Sequence, residues 1–95
     1  MVLFNPGRVV ATPAAVQALS EQYVLPEDLL DRHVNGDWGD ITDDDKSSNE
    51  SALADGSRLV SSYFLFDDVK VLIITEAVDD EGSRTHTTLQ LSNEY

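Results

Sequence analysis

The chain contains no cysteine. That absence excludes disulfide bonds, thiol nucleophiles and cysteine-ligated zinc. Nor is there an apolar run near the roughly 18 residues that a membrane-spanning helix needs, so no membrane partner is expected. Basic residues are scarce: six Lys and Arg stand against eighteen Asp and Glu, for a formal net charge of −12. A surface of that sign repels a nucleic-acid backbone, whose binding depends on Lys and Arg displacing counterions. Direct DNA or RNA binding is therefore not expected, whereas a basic protein surface is a natural partner, because opposite fields steer encounter. Lys46 and Lys70 are the only lysines, a composition that also fits simple solubility or a salty cytoplasm. The start, Met1 to Gly7, has neither a basic region nor a long apolar stretch and does not read as a secretory signal. The expectation is a cytoplasmic protein.

Several chemical signatures are missing as well. There is no Gly-rich phosphate loop, no Gly-x-Ser-x-Gly and no His-Glu-x-x-His. The acidic run from Asp37 to Asp45 departs from a calcium loop in its glycine position and lacks the closing glutamate. No cofactor and no metal are expected.

What is present reads as one α+β domain over residues 1–95, since a chain of 95 residues has room for one core and not two. Arg8 to Ala11 is a short apolar run that suits an edge strand. Thr12-Pro13 marks a helix start, with Thr12 as N-cap and Pro13 at the first helical position. Ala15, Val16, Ala18 and Leu19 give that helix an apolar stripe, which Tyr23 and Val24 close. Pro26 opens a second helix, with Glu27 and Asp28 suited to its first turn. Leu29, Leu30 and His33 face inward, and Gly36 ends the helix in a left-handed cap. Trp38 is predicted to be buried in the connector that follows. Thr42, with Asp45 three residues on, opens a third and mostly polar helix over 43–55 that Gly56 stops. The period then changes to two. Leu59 to Phe66, Val69 to Ala77 and Arg84 to Leu91 read as strands of an antiparallel meander. Val71 to Ile74 is apolar on both faces, which predicts a central strand. The expected architecture is two to three N-terminal helices on a small antiparallel meander.

Two sets of residues carry candidate chemistry. His33, at a helix end beside Asp37 and Asp40, together with Arg84 and His86 on the last strand, supplies the base, acid and cation that metal-free phosphodiester cleavage requires. The simpler reading has His33 bonded to a backbone carbonyl, Asp37 capping the turn and Trp38 filling the core. The second set is Asp37, Asp40, Asp43, Asp44 and Asp45, a candidate protein-binding cluster whose carboxylates present a field like that of phosphates.

The sequence also resembles a family of small bacterial proteins labelled plasmid-related, some with a restriction-modification label. The resemblance is carried by Gly7-Arg8-Val9-Val10-Ala11-Thr12-Pro13, by Arg32-His33-x-x-Gly36-Asp37-Trp38-Gly39-Asp40, and by Asp45-Lys46-x-x-Asn49. Gly56-x-Arg58-x-x-Ser61-x-Tyr63, Ile73-Ile74-Thr75-Glu76-Ala77 and Thr87-Thr88-Leu89-x-Leu91 continue it, before the terminal Glu94-Tyr95. Its most specific part is His-x-x-Gly-Asp-Trp-Gly. The chain departs from the pattern at Val78 to Ser83, which separate Ala77 from Arg84, and at Ser92-Asn93, where the family has a proline. The family has no assigned activity, so the resemblance implies no mechanism. Two functions remain as expectations. One is a small acidic interaction protein, borne by a mobile element and acting on a basic or nucleic-acid-binding protein as a nucleic-acid mimic or anti-defence factor. The other is a small metal-independent hydrolase or ribonuclease-like enzyme using His33, Arg84 and His86.

Overall fold

The computed structural model describes residues 2–95, so Met1, named above at the chain's start, lies outside it. The chain runs β1 (Arg8–Ala11), α1 (Pro13–Glu21), α2 (Pro26–Val34), α3 (Asp43–Asp55), β2 (Leu59–Phe64), β3 (Lys70–Thr75) and β4 (His86–Leu91). Helix starts follow the local chemistry. The Thr12 hydroxyl accepts from Ala15 N at 3.1 Å and the Thr42 hydroxyl from Asp45 N at 3.1 Å, each satisfying an otherwise orphaned donor. Among the described residues no helix is long and apolar enough to cross a membrane.

The four strands form one sheet in the order β1-β4-β3-β2. β2, β3 and β4 are the expected meander, with β3 central. The sheet as a whole is mixed, which corrects the purely antiparallel expectation: β1 pairs with β4 in parallel, Arg8 opposite His86 and Ala11 opposite Leu89. Alternating hydrophobicity marks a strand, but it carries no information on direction or neighbour. Three helices intervene before the chain returns to the sheet, which leaves β1 free to pair in either sense.

One face of the sheet carries Leu59, Ser61 and Tyr63 of β2, Val71, Ile73 and Thr75 of β3, and Thr87 and Leu89 of β4, all buried. Leu19 of α1 and Leu29 of α2 pack with Tyr63, Val71, Ile73 and Leu89 in the main core. A second cluster joins Trp38, Ala52 and Leu59, flanked by Phe4, Ile41 and Leu53. Each fully buried Leu or Ile contributes roughly 1.5–3 kcal/mol. Ile74, on the opposite face, is buried too, so β3 is covered on both sides as its double-faced apolar run requires.

β2 is an edge strand in topology but is not left open. The Asn49 side chain donates to Val60 O at 2.8 Å and accepts from Val60 N at 3.1 Å, pairing with the strand as a further peptide group would. Next along, Ser62 N donates to Trp38 O at 3.0 Å and Asp40 N donates to Ser62 O at 2.7 Å. The chain comes this close only because residue 39 is glycine. Gly39 has a φ of +75°, and a Cβ there would overlap the Ser62 carbonyl oxygen and the Tyr63 ring. These contacts occupy the edge that would otherwise invite strand addition. They also tie α3 down through Asn49, although its sequence is nearly all polar.

Candidate functional site

The His-x-x-Gly-Asp-Trp-Gly element lies at the C-terminal end of α2 and in the turn that follows. Arg32 N-ward and Asp37 C-ward close it with a two-pronged ion pair, Nε to Oδ2 at 2.8 Å and Nη2 to Oδ1 at 3.3 Å. Hydrogen bonding to Arg32 holds the Asp37 carboxyl below its ordinary range, and the same bond raises Arg32. The Arg32 guanidinium also sits 4.5 Å from the centre of the Tyr63 ring, whose hydroxyl donates to Asp37 O at 2.6 Å. Burial pushes the Tyr63 phenol up to about 12. Trp38 is 4% exposed and its indole N–H donates to Glu50 Oε1 at 3.3 Å.

His33 has no solvent exposure. Contrary to the simple expectation, its partners are hydroxyls of the sheet and not a backbone carbonyl: Nδ1 meets Ser61 Oγ at 2.5 Å and Nε2 meets Thr75 Oγ1 at 2.8 Å. The chain continues from Thr75 Oγ1 to Thr87 Oγ1 at 2.6 Å and from Thr87 Oγ1 to Pro6 O at 2.7 Å. Its terminus fixes every proton. A carbonyl only accepts, so the Thr87 hydroxyl donates to Pro6 O. Thr87 then accepts from Thr75, whose only proton is thereby used. Thr75 must accept from His33 Nε2–H, which leaves Nδ1 to accept from the Ser61 hydroxyl. Burial, reinforced by the positive charge of Arg84, lowers the imidazole pKa to about 4. The ring is therefore neutral at pH 7, in the tautomer that the network demands. Phe4 and Trp38 close over it edge-on at 5.2 and 5.7 Å between ring centres.

The three residues of the candidate catalytic set are not gathered into one cleft. His33 has both nitrogens engaged inside the core, and neither is free to touch a solute. The Arg84 guanidinium lies 5.7 Å from the centre of the Phe4 ring and donates to three carbonyls: Ser57 O at 2.7 Å, Glu76 O at 3.0 Å and Ala52 O at 3.1 Å. It thereby caps the C-terminal end of α3 and joins it to the end of β3. Desolvation lowers its pKa. His86 is exposed on β4, next in sequence to the inward-facing Thr87 and so on the opposite face of the sheet. Its Nδ1 lies 3.0 Å from Thr85 Oγ1.

The candidate protein-binding carboxylates Asp37, Asp40, Asp43, Asp44 and Asp45 are all exposed. Asp40 accepts from Phe64 N at 3.4 Å. Asp43, Asp44 and Asp45 form the first turn of α3, where negative charge is favoured by the helix dipole. Consecutive helical residues project about 100° apart, so these three carboxylates fan around the helix start and do not line a single stripe. Among the described residues no group of three His, Asp or Glu side chains is placed to hold a metal ion.

Sequence reasoning missed Asn49, Thr75 and Thr87 as structural polar groups. The signal available for the threonines was their place on the apolar phase of otherwise apolar strands. The C-terminal Glu94 and Tyr95 are held by side-chain hydrogen bonds as well. Glu94 accepts from the Thr12 hydroxyl at 2.8 Å and from Leu91 N at 2.8 Å, and the Tyr95 hydroxyl accepts from Arg58 at 2.9 Å. Compared with known protein families, with curated proteins and with solved structures, the chain shows no match.

Proposed function

We propose that the protein is a small acidic interaction protein that engages a basic surface on another protein, its exposed carboxylates supplying the negative field, though not the linear array, of a nucleic-acid backbone. The observation that carries this reading is the imbalance between exposed carboxylates and ion pairs. Ten acidic residues lie between Glu27 and Asp55, and among the described residues only Asp37 of these is in an ion pair. Asp43, Asp44 and Asp45 stand exposed at one helix start, with Asp37 and Asp40 exposed in the turn before it. A partner that normally binds DNA or RNA offers the complementary surface. The resemblance to plasmid-related proteins fits a factor borne by a mobile element and directed at such a partner, including a host defence protein.

The test is salt-dependent capture followed by kinetics. Basic proteins retained from a bacterial lysate at roughly 0.05 M salt should be released near 1 M, where the Debye length falls to about 3 Å. With a captured partner, changing Asp43, Asp44 and Asp45 to Asn should lower the association rate more than it raises the dissociation rate. Retention unchanged at high salt, or an association rate unmoved by the three substitutions, refutes the reading.

A further inference from the structure

The two edges of the sheet differ. β2 is closed by Asn49 and by residues 38–40, whereas β1 ends the strand order with no neighbour beyond it. Arg8 N donates to Thr85 O at 3.1 Å and Thr12 N donates to Leu89 O at 2.9 Å, so Arg8, Val10 and Thr12 turn their peptide groups toward β4. The alternate residues Val9 and Ala11 therefore point their N–H and C=O groups out of the sheet. Among the described residues no loop or side chain bonds to them. Arg8, Val9 and Ala11 are exposed. β1 has no internal proline, lysine or bulge to discourage a further strand, and only its length of four residues limits one.

The two ends of β1 carry opposite charge. At its start Arg8 is exposed and, among the described residues, in no ion pair. At its end the exposed Glu94 carboxylate is held beside the strand by the Thr12 hydroxyl at 2.8 Å. An antiparallel copy of the same strand sets each end against the other. Faces and free peptide groups select the register. Val9 and Ala11 share the face of the inward Thr87 and Leu89, while Arg8 and Val10 share the other with His86 and Thr88. Placing Val10 opposite Val10 of a second copy sets Val9 against Ala11 and Ala11 against Val9. The outward peptide groups then form two hydrogen-bonded pairs, and every facing pair stays on one face. Arg8 stands opposite Thr12 in a non-hydrogen-bonded pair, with Cα atoms about 4.5 Å apart, beside the carboxylate that Thr12 holds. A shift by two residues in one sense sets Ala11 against Gly7, whose φ of 68° is not a strand conformation. A shift in the other sets Val9 against Pro13, which has no N–H to give.

We propose that β1 is a dimerisation edge, occupied by β1 of a second copy in antiparallel register about Val10. The two sheets join into one of eight strands, four from each copy. A net charge of −12 opposes a second copy in general, but the fold keeps its densest acidic stretch away from this edge. α3, which starts with Asp43, Asp44 and Asp45, is tied to β2 at the far edge, as is the turn that carries Asp40. Across eight strands the two copies of β2 lie about 34 Å apart, several times the Debye length of about 8 Å at physiological ionic strength. At the seam itself, Arg8 of each copy meets Glu94 of the other. The dimer goes beyond the reading of the protein as a binder of basic surfaces and does not depend on it, since the acidic edge stays open in both copies.

Sedimentation equilibrium from micromolar to millimolar protein, in roughly 0.5 M salt to screen net charge, should show a monomer–dimer equilibrium. Amide exchange at Val9 and Ala11 should slow as protein concentration rises, and far more than at Arg8 and Thr12, whose amides are already bonded to β4. Val9→Pro removes an outward N–H that the fold does not use, and should give a folded monomer. Arg8→Glu should weaken dimerisation about tenfold. Adding Glu94→Lys should restore most of that loss, whereas adding Asp43→Lys, which makes the same change in net charge at the far edge, should not. A protein that stays monomeric at millimolar concentration overturns the proposal, as does a dimer that persists in Val9→Pro. Should Val9→Pro fail to fold, the wild type still decides: exchange at Val9 and Ala11 that ignores concentration overturns the edge. A dimer indifferent to Arg8→Glu, or rescued equally by Asp43→Lys, overturns the register.

Discussion

Replacing His33 with Gln should change how stability depends on pH more than it changes stability itself at any one pH. The imidazole has no exposure, and the acceptor at the end of its hydrogen-bond chain, Pro6 O, forces Nδ1 to accept from Ser61. Protonating Nδ1 would reverse that bond inside the core. The folded pKa is accordingly about 4, against 6.5 for an unperturbed histidine. Between these values the unfolded chain binds a proton that the folded protein does not. This contribution to stability is complete above pH 6.5 and is lost as pH falls toward 4. At roughly 1.4 kcal/mol per pH unit, the gap amounts to about 3 kcal/mol, a large fraction of the roughly 5–15 kcal/mol that holds a domain together. A glutamine side chain in its place would keep one donor and one acceptor but cannot titrate. Imperfect pairing with Ser61 and Thr75 should cost the variant about 1–3 kcal/mol at pH 7. Urea unfolding at a series of pH values gives both curves. Their difference removes the carboxylate contributions that the two proteins share. The curves should draw together as pH falls below 6.5 and meet or cross before pH 4, because the wild type alone loses the histidine contribution. Parallel curves, or an NMR titration of His33 centred near 6.5, would refute the proton assignment and the network behind it.

Other outcomes are equally direct. Trp38→Ala should destabilise by about 3–5 kcal/mol in denaturant unfolding, because the indole fills the junction with Ala52 and Leu59 at 4% exposure; a loss under about 1 kcal/mol would contradict that packing. Asn49→Asp should cost about 1–3 kcal/mol and speed hydrogen exchange at the Val60 amide, since a carboxylate cannot donate to Val60 O. Unchanged exchange at Val60 would show that the edge is held by other contacts. Changing Asp43, Asp44 and Asp45 to Asn should move folding stability by only a few tenths of a kcal/mol, through the helix dipole, and a larger loss in thermal unfolding would mean that these carboxylates hold the fold.

The sequence by itself determined the local events. Thr12-Pro13, Pro26 and Thr42 set the helix starts, and Gly36 and Gly56 stop α2 and α3 in left-handed caps, because each depends on hydrogen bonds within a few residues. The two-sided run through Ile73 and Ile74 located the central strand, and the lone tryptophan announced its burial, both through the cost of leaving apolar surface in water. Net charge also follows from composition alone. The same local reasoning ended α1 near Tyr23 but did not place that tyrosine in the left-handed position glycine normally takes. Tertiary structure alone decided the parallel pairing of β1 with β4, the use of Asn49 as a surrogate strand, and the polar chain through the core. His33 finds its partners 28 and 42 positions away, and Thr87 meets Pro6 across 81. No local pattern encodes such pairings, because which buried donor meets which acceptor is settled only when helices and sheet close on one another and water is excluded.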